Sequence, residues 1–389
     1  MSIAFINAEL PGGRSGCLRV QGSRIAGVDV PANATDIVVD LQGDRLLPGL
    51  INAHDHLQLN NLAALETRKI YRHVRDWISE VDARRRSDPQ FEADVAVPRD
   101  ERLLLGAVKN LLSGATTVAH HDPLYPFLTH ADCPVAVLRD YGWSHSLYID
   151  GEPQVVESFR ATPADWPWIV HAAEGLNAEA GDEFERLDAL GCVKANSLLV
   201  HGIALDSKQR VRLVDSGAGL IWCPSSNMRL FGRTAQVGDL AARHRVALGT
   251  DSRLSGSRDL LEELRIAAQL GEVAEECLES LVTGAAANLL RLNDRGALRA
   301  GLRADLLVLP AGARLGEAAR RDVRLVMVEG VVRFGEADYV RRARPSGEWT
   351  PVWVDGVPKM LDDQISRRLA QGCAGEPGLE IPRMTGRAA

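Results

Sequence analysis

Two histidines one residue apart, His54 and His56, end the apolar run Leu46-Leu47-Pro48-Gly49-Leu50-Ile51-Asn52-Ala53-His54-Asp55-His56. In an extended chain successive side chains alternate between faces, so both imidazoles leave one side of the strand and can meet a single metal ion, while Asp55 points away. Alone, a His-x-His is more often an ordinary strand end than a ligand pair. Three further groups change that balance, because His171, His201 and Asp251 also close apolar runs, at Trp168-Ile169-Val170, Asn196 to Val200 and Arg245 to Thr250. A buried histidine bonded to a carbonyl, or an aspartate capping the helix that begins near Arg258, would explain any one of them. Five such groups at the ends of four predicted strands point to a common site.

The elements that must position them alternate strand and helix. From about 48 to 295, strand-like runs at 114–120, 134–140, 168–171, 196–201, 219–223 and 245–251 follow the His-x-His strand. Helical patterns at 62–86 and 100–113 are interleaved, which argues for βα units and a parallel sheet. An eighth strand is only weakly marked, near 154–159. Seven or eight units over some 240 residues fit an α/β protein built on a (β/α)8 barrel, whose active site lies at the C-terminal strand ends. Residues 1–47 read as short strands that need a partner sheet, and the β-rich runs at 304–309 and 325–333 supply one. The expected organisation is a discontinuous β-sandwich (1–47 and 296–345), a catalytic barrel (48–295) and a Gly-, Pro- and Arg-rich extension (346–389), its last fifteen or so residues disordered.

Composition sets the setting. The 389 residues are 46% hydrophobic and 25% charged, as in ordinary soluble proteins, and the net charge of -7 offers no footprint for nucleic acid. Residues 1–16 show no basic region followed by a long apolar one, and no run of about eighteen apolar residues occurs, so no membrane is expected. The six cysteines are scattered without a Cys-x-x-Cys pair, which predicts free thiols in the cytoplasm and a metal held by nitrogen and oxygen.

The chain resembles the amidohydrolase superfamily, and within it the aminohydrolase branch of cytosine and guanine deaminases and triazine hydrolases. The resemblance runs to about residue 335. It rests on 48–56, on Val170-His171-Ala172-Ala173-Glu174, Val200-His201-Gly202, Cys223-Pro224-Ser225-Ser226-Asn227-Met228, Leu248-Gly249-Thr250-Asp251-Ser252, and Thr283 to Asn288 leading to Gly301-Leu302-Arg303-Ala304-Asp305-Leu306. It implies that His54, His56, His171 and Asp251 hold one divalent metal, zinc before iron or manganese, that His201 faces the water or substrate, and that Glu174 moves protons. Three imidazoles and a carboxylate with an open position suit a catalytic site, where a bound ion lowers the pKa of water to about 7. Asp251 can also take the water's proton. A two-metal variant of the superfamily needs a modified lysine on the fourth strand, and no lysine lies between Lys109 and Lys194.

The implied activity is hydrolytic deamination of a purine, pterin, pyrimidine or triazine by a homo-oligomer, a dimer being expected. Hydrolysis of a cyclic amide or imidazolone is the alternative, and a metal-free scaffold the third reading. Substrate contacts are expected from His121 and His145 in the loops after strands 2 and 3, and from Asn227 and Arg229 after strand 7, although each could be an ordinary loop residue.

Overall fold

A computed structural model describes residues 2–65 and 69–382. The chain opens with β1 (Ser2–Leu10), β2 (Arg14–Gln21), β3 (Arg24–Val28), β4 (Ile37–Asp40) and β5 (Arg45–Pro48). Burial in β3 alternates residue by residue, as a strand with one face on a core requires.

The centre of the chain contributes β6 (Leu50–Asp55), β7 (Ala115–His120), β8 (Ala136–Val137), β9 (Gly142–Ser146), β10 (Trp168–Ala172), β11 (Ser197–His201), β12 (Gly219–Trp222) and β13 (Val246–Leu248). They pair in parallel, β6-β7-β8 in one sheet and β9 to β13 in order in another. All residues of β6, β7, β11, β12 and β13 are buried, because helices cover a parallel sheet on its faces. Just past β13 the chain returns to β6. The amides of Thr250 and Asp251 donate to the His54 carbonyl at 2.9 and 3.1 Å, and the His56 amide donates to the Asp251 carbonyl at 3.2 Å. Gly249 permits this approach, since a Cβ there would lie 2.6 Å from the Cβ of His54.

The remaining strands are β14 (Leu306–Leu309), β15 (Leu325–Val328), β16 (Val331–Gly335), β17 (Trp349–Val354), β18 (Val357–Asp362) and β19 (Leu379–Glu380). β14 pairs with β5 and so joins the two ends of the chain. Its alternation serves two cores at once: Leu306 and Val308 pack with Ile3, Phe5, Leu18 and Met327, while Leu307 and Leu309 pack with the helices and strands of the centre.

The structure departs from the expectations in four places. Residues 154–159 are helical, within Glu152–Ala161, because Val155 and Phe159 share one helix face and Pro153 sits in the first turn. The strand expected there is β9 instead, whose Gly-Trp-Ser-His-Ser sequence carries little apolar signal. The helix expected over 62–86 begins only at Val74, capped by His73, and residues 66–68 lie outside the described residues. The terminal strands form one eleven-stranded sheet, not two facing ones, because β1 pairs with β2, β4 and β5 and the β5–β14 pair continues the path. The segment from 346 does not stand apart, since the β17–β18 hairpin extends that sheet through β16. Of the tail expected to be disordered, residues 383–389 lie outside the described residues.

Candidate metal centre and active site

The ends of β6, β10, β11 and β13 bring five of the expected groups together. His56 Nε2 lies 3.4 Å from His171 Nε2, and Asp251 Oδ1 lies 3.6 Å from His54 Nε2 and 3.7 Å from His56 Nε2. Ligands bound to one ion at about 2.0–2.1 Å stand roughly 3.3–3.5 Å apart in a tetrahedron, so these spacings fit a shared ion. The outer nitrogens are fixed: His56 Nδ1 faces Asp122 Oδ2 at 2.8 Å, and His171 Nδ1 meets the carbonyl of His145 at 2.7 Å. Each inner Nε2 is thereby left with its lone pair toward the common point. His54 is fully buried and neither ring nitrogen has a hydrogen-bond partner. Such an orphan is costly unless a cation satisfies it. The donor set therefore fits a divalent metal.

Backbone strain marks the same strand ends. Ala173, His201 and Asp251 all adopt positive φ, at 55°, 75° and 56°. Ala173 is held there by Glu183, from the helix Ala178–Ala189, whose Oε2 accepts from its amide at 2.7 Å. The turn so propped aims Glu174 at His201, with Oε1 3.5 Å from Nε2. His201 Nδ1 lies 2.9 Å from Asn227 Oδ1, and Asn227 in turn donates toward Thr234 and the His201 carbonyl. That orientation makes Nδ1 the N–H and leaves Nε2 as an acceptor facing Glu174. Asp251 Oδ2 accepts from Ser255 Oγ at 2.6 Å, which leaves Oδ1 for the ion.

The electrostatics follow from burial and neighbours. Burial, then the charges of Asp251 and Glu183, push Glu174 well above the carboxylate range. His201 is lowered to about 4, chiefly by burial. Burial thus favours the protonated carboxyl at Glu174 and the neutral imidazole at His201. Burial works against charge on His56 too, but the hydrogen bond with Asp122 and the charges of Asp122, Asp251 and Asp55 outweigh it and raise His56 to about 9 while no cation is bound, so an ion binding there displaces a proton from Nε2. His54 and His171 are lowered, by burial first and then by neighbouring imidazoles. Burial opposes the charge on Asp251, yet the contact with His54 and the other histidines hold it below the usual carboxylate range.

The expected substrate contacts divide. Asn227 is buried and serves His201. His145 is part of β9 rather than a loop, with its ring half-buried between Asp122 and Asp150. Arg229 is half-buried on the helix Pro224–Phe231, and no described contact links it to the histidines. His121 does not stand at the rim: it is fully buried, with its ring 4.4 Å from that of His171.

Two supporting groups went unrecognised in the sequence as partners of the site. Asp122 was legible only as a residue near the rim, yet it anchors His56 and also accepts from Gln58 at 2.7 Å. Lys109, on the helix Arg99–Leu112, reaches beneath β6 and lies 3.2 Å from Asp55 Oδ2. A lysine in the amphipathic pattern of that helix reads as solvated, and the Asn110 that follows it gives no hint of a buried charge.

Comparison with known proteins agrees with this geometry. Residues 160–333 match the amidohydrolase family. That match covers less than half of the chain. The 5-methylthioadenosine/S-adenosylhomocysteine deaminase of Halobacterium salinarum is 26% identical over 346 residues, covering 75% of this chain and 78% of that protein. Among solved structures, the zinc complex of atrazine chlorohydrolase from Arthrobacter aurescens aligns with a TM-score of 0.68 at 18% identity, covering 88% of this chain and 98% of the other. The zinc-bound adenosine deaminase from Xanthomonas campestris aligns with a TM-score of 0.67 at 19% identity, covering 85% and 92%. These two likenesses concern the fold. Among the described residues no helix is long and apolar enough to cross a membrane, and all six cysteines are free thiols.

Proposed function

We propose that this chain is an amidohydrolase, a metal-dependent deaminase that hydrolyses an exocyclic amine from a nitrogen heterocycle and releases ammonia. The observation that carries the proposal is the convergence of the His54, His56 and His171 ring nitrogens beside Asp251 Oδ1, next to the buried Glu174, whose carboxyl is raised well above its usual range by burial. The names of the relatives support a heterocyclic amine as the substrate class. In this reading β6 to β13 form a closed eight-stranded barrel within residues 48–295, the sheet built from 1–47 and 296–345 braces it, and the enzyme acts as a cytoplasmic homodimer.

His54, His56, His171 and Asp251 would hold the ion, with zinc the first candidate. The ion would supply a water of lowered pKa and polarise the reacting carbon's substituents. The chain's own groups handle protons. Overall, water adds its oxygen to the amine-bearing carbon and the carbon–nitrogen bond breaks; of the water's two protons, one completes the departing NH2 as ammonia and the other remains on a ring nitrogen of the oxo product. Asp251 accepts a proton from the attacking water, and Glu174 gives its proton to the substrate nitrogen and is then available to carry the next one. His201, with Nδ1 held by Asn227, must gain a proton at Nε2 before it can donate a hydrogen bond to the new oxygen, and Glu174 at 3.5 Å is the group placed to share one. His145 and Arg229 would meet polar substituents of the substrate at the mouth.

The test is ammonia release across a panel of purines, purine nucleosides, pterins, pyrimidines and triazines, run beside cyclic amides and imidazolones. Release of ammonia with the oxo product supports the reading. Ring opening of the cyclic amides without ammonia would replace it, and absence of stoichiometric metal in the purified protein would remove its basis. Light scattering reads the assembly state.

A further inference from the structure

His121 carries a signature that the ligand assignment above does not use. Its Nε2 donates to the carbonyl of Ser144 at 2.9 Å, which commits the ring's N–H and leaves Nδ1 as a bare acceptor. That Nδ1 is buried and has no hydrogen-bond partner. It does not point into an apolar void. One ligand atom from each of His54, His56, His121 and His171 lies within 4.8 Å of the others, and the His121 ring sits 5.0 Å from His54, 5.6 Å from His56 and 4.4 Å from His171, centroid to centroid.

Four imidazole nitrogens converge at one point; those of His54 and His121 are buried acceptors with no partner, and those of His56 and His171 have only each other at 3.4 Å. A substrate hydrogen-bond donor could relieve one of them, but only a cation relieves all four at once. The anchoring supports this too. His171 hangs from the His145 carbonyl and His121 from the Ser144 carbonyl, so β9 orients two neighbouring rings toward one point by the same device, a backbone carbonyl fixing the outer nitrogen.

We propose that His121, through Nδ1, is an additional ligand of the same ion, making a site of four imidazoles and the Asp251 carboxylate. This inference rests on the metal-site reading above and deepens it. Five protein donors and a water would offer the ion six donors, more than the three- or four-ligand plan usual for catalytic zinc, so iron or manganese would then be favoured over the zinc taken as first candidate above. His121 is then withdrawn from the substrate and becomes part of the metal's cage.

The test uses the full-length enzyme stripped and reloaded with Co²⁺, whose visible absorption is strong when four-coordinate and weak when six-coordinate. His121→Phe keeps a ring to pack against His171 and removes the nitrogen, and His121→Gln serves if the phenylalanine variant does not fold. We expect wild type to show a weak spectrum. The variant should show the metal-free melting temperature of wild type, a stronger Co²⁺ spectrum, and ion affinity in chelator competition lower by about tenfold or more. A variant with wild-type spectrum and affinity overturns the proposal and leaves His121 a packed ring. In that outcome His171→Ala, measured alongside, still loses the ion if the metal site itself is sound, whereas a wild type that binds no ion at all removes the metal reading together with this one.

Discussion

The two sides of β6 make opposite bargains with burial. On one, His54 and His56 face a cluster in which both ring nitrogens of His54 and Nδ1 of His121 have no hydrogen-bond partner. On the other, Asp55 is equally buried yet fully served: Lys109 Nζ at 3.2 Å, Asn110 Nδ2 at 2.9 Å and Thr250 Oγ1 at 3.2 Å reach Oδ2, and Asn60 Nδ2 reaches Oδ1 at 2.8 Å. Lys109 is satisfied as well, by Asn60 Oδ1 at 2.7 Å and Thr250 Oγ1 at 3.1 Å. A polar cluster complete without any addition holds structure in place, whereas one left incomplete awaits a ligand. Adjacent residues of one strand thus separate the frame from the site, and the same Thr250 that completes the frame precedes Asp251, the proposed carboxylate ligand.

The largest effect should come from breaking the complete side. Lys109→Met leaves the Asp55 charge buried with no cation, a change that costs about 3–5 kcal/mol of stability. Urea unfolding of the metal-free protein should show that loss, and the double variant Asp55→Asn with Lys109→Met should recover a large part of it. A single variant as stable as wild type would mean that the network is dispensable.

The incomplete side should respond in rate and not in stability. Glu174→Gln keeps shape and hydrogen bonding but cannot give up a proton, so kcat should fall on the order of a hundredfold or more, about 2.7 kcal/mol of barrier, with metal content and melting temperature retained. Loss of the ion from this variant would make Glu174 a ligand. Normal turnover would place the proton shuttle elsewhere.

How far the sequence alone could anticipate these two sides follows from their chemistry. His54, His56, His171, His201 and Asp251 were legible because strand ends carry them and strand ends announce themselves by apolar runs. The eight-stranded order was legible except where β9 hides in Gly142-Trp143-Ser144-His145-Ser146, a strand whose polar residues are spent on anchoring other groups. Asp55 could be read as turned away from the metal by alternation alone. Lys109 could not be assigned to it, since a helix periodicity says which face is buried but not which residue of a distant strand it meets. The Glu376 pair with Arg253, at 2.7 and 2.8 Å, escaped for a related reason: it ties a Gly- and Pro-rich segment, which reads as a loose tail, to the loop just after Asp251.

Asp122 stands between the two kinds of cluster, holding the outer nitrogen of the proposed ligand His56. Asp122→Asn should retain the fold and weaken ion affinity by about tenfold to a hundredfold, roughly 1.4–2.7 kcal/mol, because the amide orients His56 less firmly and no longer supports its basicity. Chelator competition measures it. An unchanged affinity would show that the His56 ring is held by packing alone.

The smallest effect should come from Arg229, which no described contact joins to either cluster. If it meets a polar group of the substrate equally in the ground and transition states, Arg229→Ala raises KM by about tenfold or less and leaves kcat, bound metal and melting temperature where they were. Steady-state kinetics on the substrate identified by the ammonia screen make the distinction. A fall in kcat with KM unchanged would instead bring Arg229 into the reacting geometry, and the division between frame and site would then need a third member reaching in from the helix after β12. Kinetics unchanged in both constants would leave the mouth of the pocket to His145, whose ring lies 3.8 Å from Asp122 and so stands one contact from the ligand His56.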